Sequence, residues 1–275
     1  MAMRALRELA LLPLRGLDAE QRRQALQELV AAMVTDVPTD SGTLRFVTST
    51  PLLYSRARGA LVKEPDTIEW IDGFAAGDVL WDVGANVGVF SLYAARRPEI
   101  RVLAFEPSAD NYAALCANVF GNSFGDRIIP YCIAFAGTTE LGVLNSPSRE
   151  VGTAMHQFGK PGEGSRYWKG SVSHAQGMVG YTIDEFISRF DPPFPTHVKL
   201  DVDGLEWPIL VGAPKTLRDP RLRSLMVELN LTDKPELARA KELLSDAGFE
   251  CVRLGQRFTV EGELAMNHFF ARKKD

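Results

Sequence analysis

From Asp78 onward the chain alternates short apolar runs with segments whose apolar residues recur at helical spacing. Residues 79–81, Val-Leu-Trp, form a run too short for a helix, followed by glycines and then by a helical stretch to about Arg97. Residues 101–105 read as a second strand, 109–119 as a second helix and 128–135 as a third strand. The rhythm resumes with a helix over 182–190 capped by Thr182, and a strand over 197–200. A helix then opens at 206–211 with Pro208 in its first turn. A strand over 224–229 and a helix over 236–247, ended by Gly248, follow. Residues 249–254 and 264–271 are the last strands, close enough to pair antiparallel. Such alternation builds βαβ units and a parallel sheet. The expected fold class is therefore α/β and Rossmann-like, seven-stranded, mostly parallel, with an antiparallel last strand.

Two regions depart from this rhythm. Ahead of it, Ala25, Leu26, Leu29, Val30 and Met33 repeat at helical spacing behind a candidate N-cap, Asp18. This predicts an amphipathic helix that covers the domain or meets a partner, and it allows a homodimer. Residues 35–60 read as a connector, and Ile68, Ile71 and Phe74 suggest a further helix stopping at Gly77. Within the rhythm, residues 137–178 are rich in Gly, Ser and Pro and carry His156, Trp168 and His174. A long irregular insertion in a compact domain is often a binding loop or lid. The expected organisation is an N-terminal helical extension over 1–60 and one α/β domain over 61–275 with its insertion at 137–178.

Composition narrows the classes. Of 275 residues, 45% are apolar and 24% charged, which supplies a normal core and argues against disorder. A net charge of −4 speaks against a nucleic-acid partner, which more often meets a basic face. The cysteines Cys116, Cys132 and Cys251 are odd in number and form no Cys-x-x-Cys pair, so neither a disulfide framework nor a thiolate zinc site is expected. Arg4 and Arg7 precede the apolar run at 9–12, which Pro13 ends and which is too short for a signal-peptide core. No run of about 18 apolar residues exists to span a membrane. A reducing cytoplasm is the expected setting.

The chemistry concentrates where the first strand ends. Asp82-Val83-Gly84-Ala85-Asn86-Val87-Gly88 sits at the strand tip and opens a helix. Glycine there lets the backbone turn sharply and approach a ligand. In open α/β sheets, ligands lie at the carboxyl ends of the strands. Glu106 ends the second strand, where an acid can accept hydrogen bonds from two ribose hydroxyls. Each charged bond of this kind is worth roughly 1.5–3 kcal/mol. A dinucleotide normally uses Gly-x-Gly-x-x-Gly to bring its pyrophosphate to a helix N-terminus. Here the glycines are Gly84 and Gly88, and Asp82 at the tip would repel pyrophosphate. It would attract the cationic amino-acid end of S-adenosylmethionine, so the methyl donor is favoured over NAD(P). An NAD(P)-dependent oxidoreductase and a scaffold that has lost turnover remain the rival readings.

Together these pieces resemble the FkbM family of methyltransferases. The matching segments are Glu64-Pro65-Asp66-Thr67, Trp81-Asp82-Val83-Gly84-Ala85-Asn86-Val87-Gly88 and Ala104-Phe105-Glu106-Pro107. They continue with Thr182-Ile183-Asp184, Lys199-Leu200-Asp201-Val202-Asp203-Gly204-Leu205-Glu206 and Val227-Glu228. The resemblance spans about residues 60–271 and implies methylation of hydroxyls on sugars, polysaccharides or natural products by a seven-stranded methyltransferase sheet. It also implies that Asp82, Gly84, Asn86 and Gly88 wrap the donor's amino-acid end and that Ser91 reaches its carboxylate. By the same resemblance Glu106 holds the ribose, Pro107 follows it, and Asn111 and Ala134 border ribose and adenine. Glu64, ahead of the first strand, is placed to fold over the donor.

The acceptor site is less defined. Methyl transfer is an in-line displacement, helped chiefly by alignment and further by a general base. Asp201 ends the fourth strand, which this topology sets beside the first, and it is the leading acid there. Asp203 and Glu206 follow, the latter explained by a helix first turn. With Glu228 and Asn230, Asp201 has the oxygen ligands of a Mg²⁺ site, although the Glu-x-Asn spacing is not the adjacent acid–amide pair expected of one. His156 in the insertion is the other candidate base, since histidine titrates near neutral pH. His174, His197 and His268 have weaker cases, the last on packing grounds.

Overall fold

A computed structural model of the chain describes residues 16–59, 61–159, 172–260 and 262–273. The run at 4–13 and Trp168 lie outside the described residues, as does the side chain of Val30.

The chain opens with α1 (Ala19–Ala32), where Asp18 Oδ1 accepts from the Glu20 and Gln21 N–H groups as an N-cap should. Its expected apolar stripe does not cover the domain: Leu26 and Leu29 stay 45% and 53% exposed. The supposed connector is ordered structure. It forms the hairpin β1 (Val34–Thr39) and β2 (Gly42–Val47), then α2 (Pro51–Gly59). β2 buries Leu44 and Phe46, and its edge is satisfied by side chains, with Asn122 Oδ1 accepting from Arg45 N–H and Asn118 Oδ1 from Val47 N–H. Those asparagines replace the missing strand partner. α2 starts at Thr50, whose Oγ1 accepts from Leu53 N–H.

The core follows in order: α3 (Pro65–Asp72), β3 (Val79–Val83), α4 (Val89–Ala95), β4 (Arg101–Phe105), α5 (Ala109–Gly121) and β5 (Ile128–Tyr131). The insertion and its approach hold β6 (Ala134–Phe135), β7 (Glu140–Ser146), β8 (Gln157–Phe158) and β9 (His174–Tyr181). After α6 (Ile183–Phe190) come β10 (His197–Leu200), α7 (Glu206–Val211), α8 (Pro214–Arg218), β11 (Ser224–Asn230), α9 (Lys234–Asp246), β12 (Phe249–Val260) and β13 (Glu263–Arg272).

Seven strands form the main sheet in the order β5-β4-β3-β10-β11-β13-β12, parallel except for β13, which runs antiparallel to both neighbours. This is the expected mostly parallel sheet, with β3 beside β10. Both faces are covered, as parallel strands require. Side chains alternate across β3, so Trp81 and Val83 join Phe105, Phe186, Leu200 and Ile209 on one face. Leu80 joins Phe46, Leu92, Ala104 and Leu115 on the other.

The insertion is less irregular than its composition suggests. β6, β9, β7 and β8 make a second, four-stranded sheet. Phe158 seats its ring where a Cβ on Gly142 or on Gly180 would stand 2.5 Å from it. Gly142, in the stretch read as a loop, and Gly180 leave the space this ring occupies.

Candidate active site

At the carboxyl ends of β3, β4 and β10 two cavities meet at Gly84, Asn86 and Asp201. The first, about 560 Å³, has apolar walls from Pro107, Ile133, Ala134, Phe135 and Phe158 and a polar side from Glu106, His156, Asp201 and Asp203. The second, about 540 Å³, is walled by Arg56, Lys63, Glu64, Lys199, Asp201 and the turn at 84–87.

The turn between β3 and α4 is built for close approach. Gly84 has φ +85°, and a Cβ there would stand 1.9 Å from the Asp201 carbonyl oxygen. The N–H groups of Gly84 and Ala85 both donate to the Phe105 carbonyl, fixing the turn to β4. Of the five non-glycine residues with positive φ among the described residues, Asn86 and Asp203 line the first cavity. Strain of that kind persists only where surrounding structure enforces it, and it clusters at functional sites.

Glu106 is buried at the tip of β4. Asn86 N–H donates to Oε2 at 2.7 Å and Ser108 N–H to Oε1 at 2.9 Å. Burial pushes its pKa up to about 7 despite those two bonds. Asn111 stands behind it, with Nδ2 3.5 Å from Oε1 and Oδ1 accepting from Gly152 N–H. Asn111 and Gly88 do not line either cavity.

Asp82 and Ser91 lie beneath the turn rather than in the cavity wall. Neither has exposed surface, and Ser91 Oγ donates to Asp82 Oδ2 at 2.6 Å. The anticipated reach of Ser91 to a donor carboxylate is therefore replaced by a bond that holds Asp82. Lys199, fully buried on β10, sits 2.7 Å from Asp201 Oδ2 and 3.8 Å from Asp82 Oδ1. Burial opposes its charge, but Asp201, Asp82 and Glu64 outweigh it and raise its pKa. Burial likewise works to raise the Asp201 carboxyl, and Lys199 overrides it to hold the pKa low. Sequence reading quoted Lys199 within a motif and gave it no role.

Around this ion pair acids accumulate. Burial raises Asp203 to about 6 and Glu206 to about 8, and raises Glu228 well above its ordinary value. Glu206 Oε1 accepts from Val202 and Gly204 N–H groups, the first-turn role expected of it. Glu64 Oε2 accepts from Asn267 Nδ2 at 2.8 Å and Thr67 Oγ1 at 3.1 Å, and burial raises its pKa, with Asp201 adding to the effect. Among the described residues no group of three or more His, Cys, Asp or Glu side chains is arranged to hold a metal ion.

His156 does reach the first cavity, but on the Glu106 side. Its Nδ1 is 2.7 Å from Ser146 Oγ, and its Nε2 is 3.0 Å from the Thr153 carbonyl and 3.2 Å from Asn111 Nδ2. The carbonyl assigns the proton to Nε2, and Nδ1 then accepts from Ser146, so both ring nitrogens are engaged. Burial lowers its pKa. His156 and Asp201 both line the first cavity. His197 lies at the other end of β10, against Asp78 and Ser224, and His268 is fully buried in β13.

Arg56 was missed because it falls in the stretch read as a connector. Leu53 on the same helix packs with Val87 and Ala114, which brings α2 onto the turn. Arg56 Nε donates to the Gly152 carbonyl, tying α2 to the insertion across the second cavity.

Strand order, glycine turn and Glu106 together define a methyltransferase-type Rossmann sheet. The sequence profile described as Methyltransferase FkbM domain matches residues 82–251, more than half of the chain, and the protein belongs to the FkbM family of methyltransferases. It is 28% identical over 173 residues to the hexuronic acid methyltransferase AglP of Haloferax volcanii, a match covering 62% of each protein. Over 53 residues it is 45% identical to the 31-O-demethyl-FK506 methyltransferase FkbM of Streptomyces tacrolimicus, covering 19% of this chain and 20% of that one. The chain thus matches less than two thirds of the length of either relative. Among solved structures, a precorrin-6y C5,15-methyltransferase from Geobacter metallireducens aligns with a TM-score of 0.44 and 14% identity, over 76% of this chain and 87% of that one. Among the described residues no helix is long and apolar enough to cross a membrane.

Proposed function

We propose that the protein is an S-adenosylmethionine-dependent O-methyltransferase acting on a hydroxyl of a sugar, polysaccharide or natural product. The carrying observation is Glu106. It is a buried carboxylate in a cavity wall, each oxygen already held by one backbone N–H and still able to accept another bond. Two ribose hydroxyls would complete it, and the apolar wall of Pro107, Ile133, Ala134 and Phe135 suits a purine ring. Gly84 and Asn86 join this cavity to the second one, which suits the donor's amino-acid end. Asn86 Oδ1, on the residue that joins the two cavities, is a buried acceptor without a hydrogen-bond partner among the described residues, and suits a cationic ligand nearby.

When bound, the donor supplies a methyl on a sulfonium sulfur, which the acceptor oxygen takes as the C–S bond breaks and the hydroxyl proton leaves. Asp201 borders both cavities and is the better placed of the two candidate bases. Its pairing with Lys199 makes it a weak base, so its contribution is orientation first and proton acceptance as the O–H bond weakens. A sugar acceptor is favoured by the hexuronic acid named for the relative from Haloferax volcanii. A cytoplasmic setting accords with three unpaired cysteines.

Calorimetry with S-adenosylhomocysteine, beside NAD⁺ and NADP⁺, tests the donor. Saturable binding of the first alone is expected, and binding of a dinucleotide instead would overturn the reading. Transfer of labelled methyl from the donor to uronate-containing and neutral glycans tests the acceptor. Label recovered in an alkali-stable ether is expected; alkali-labile label would mark an ester and exclude hydroxyl as the target.

A further inference from the structure

The second cavity presents an unusual set of charges for a site next to a glycine turn. Besides Lys199, two of its cations come from outside the family-matched segment: Arg56 from α2 and Lys63 just before α3. Its acids are Glu64 and Asp201. Asp201 is bound to Lys199, and Glu64 uses Oε2 for Asn267 and Thr67. Arg56 spends only Nε, on the Gly152 carbonyl. Its two terminal nitrogens have no hydrogen-bond partner among the described residues, although the side chain lines the cavity. A guanidinium presents a planar fork that matches a carboxylate with two parallel bonds.

We propose that Arg56 binds the α-carboxylate of the methyl donor, with Glu64 receiving the α-ammonium, so that the donor's amino-acid end is held by side chains ahead of the sheet. This rests on the donor assigned above. Three observations support it. The cavity opens onto the first one at Gly84 and Asn86, so one ligand can run from Glu106 to Arg56. The motif's acid and hydroxyl are engaged elsewhere: Asp82 is buried under the turn beside Lys199, and Ser91 is bonded to it. An Arg and a Glu on one wall also match a zwitterion, whereas a purely acidic wall would repel its carboxylate. The same guanidinium ties α2 to Gly152, so binding at this end would firm the insertion that carries His156. Lys63 adds positive potential at the exposed rim.

The test compares two ligands that share the nucleoside and differ in the amino-acid end, S-adenosylhomocysteine and 5′-methylthioadenosine. In Arg56→Gln, affinity for the first is expected to fall about 10- to 100-fold, the loss of a charge-assisted pair. Affinity for the second is expected to stay unchanged. Glu64→Gln should likewise weaken only the first. Equal weakening of both ligands would overturn the proposal and make Arg56 a strut for the insertion. Unchanged affinity for both, with glucuronate saturation lost, would also overturn it and give the carboxylate to the acceptor. If wild-type protein binds neither nucleoside, the donor assignment itself fails, an outcome separable from failure of Arg56 alone.

Discussion

The two ends of β3 and β10 carry equally buried charges and resolve them in opposite ways. At the amino ends, Asp78 and His197 close a chain of bonds. Trp70 Nε1 donates to Ser224 Oγ, Ser224 bonds His197 Nδ1 at 2.7 Å, and His197 Nε2 meets Asp78 Oδ2 at 2.8 Å. Ala75 N–H shares that oxygen and Arg223 pairs with the other. Burial works to raise the Asp78 carboxyl, but His197, the Ala75 N–H and Arg223 pull it below its ordinary value. At the carboxyl ends, four residues along, acids outnumber bases, and among the described residues Asn86, Glu228 and Asn230 each keep a buried side-chain atom without a hydrogen-bond partner. In the first cluster Asp78 Oδ1, which accepts no hydrogen bond among the described residues, is answered by the Arg223 ion pair, so the network is closed. The second remains unbalanced, and a cationic, hydroxyl-bearing ligand would balance it. Burial and charge alone do not separate them; completeness of pairing does.

The comparison can be broken from either side. The largest effect is expected from Gly84→Val, which forces a Cβ into the Asp201 carbonyl at a positive φ. Donor binding should disappear in calorimetry while the far-ultraviolet dichroism of the sheet persists. Normal affinity would show that the turn is not the ligand contact. Next, Lys199→Met removes the cation between Asp82 and Asp201 and leaves buried charge uncompensated. About 3–5 kcal/mol of stability should be lost in denaturant unfolding, and a loss below about 1 kcal/mol would mean the acids are already neutral.

Glu106 sharpens the contrast. Glu106→Ala should weaken S-adenosylhomocysteine binding by roughly 1.5–3 kcal/mol with the fold intact. Its carboxyl titrates near 7 because burial disfavours the charge, and the ionised form is the one that accepts ribose hydroxyls. Affinity should therefore be full above about pH 7 and fall up to tenfold per unit below it, with this slope absent in Glu106→Gln. A flat wild-type profile from pH 6 to 8 would remove the carboxylate from the site. The smallest effect is expected at the finished pole. Ser224→Ala removes one link, but Trp70 is only half-buried and water can replace its partner. A stability loss of about 1 kcal/mol is expected, with donor affinity untouched; altered affinity would couple the two poles.

Much of this was readable from the chain. The sheet, its antiparallel β13, the glycine turn and Glu106 follow from apolar runs of strand length and from turn chemistry at their ends. What escaped did so for physical reasons. β1 has the burial pattern of a half-exposed edge and includes Pro38, so it lacks the apolar alternation that marks a strand. β7 contains Gly142, which reads as loop until Phe158 is seen filling the space above it. Asp82 was expected to face the ligand, but side chains alternate across β3, and the position packs against Ser91 and Lys199. Arg56 carries no local signal, because its position depends on Leu53 meeting Val87, a contact no spacing rule anticipates.

The tie between Arg56 and Gly152 bears on how such a fold can be recombined. The segment shared with the family begins at Asp82, inside β3, and stops at Cys251, inside β12. Exchanging that segment between relatives would carry the glycine turn, Glu106 and the insertion, and would leave behind Arg56, Glu64 and Asn267. The second cavity would then take Arg56, Lys63 and Glu64 from one parent and Lys199, Asp201 and the glycine turn from the other. A swap is best cut ahead of α2 and kept through β13, so that the helix and the insertion it fastens travel as one inherited unit.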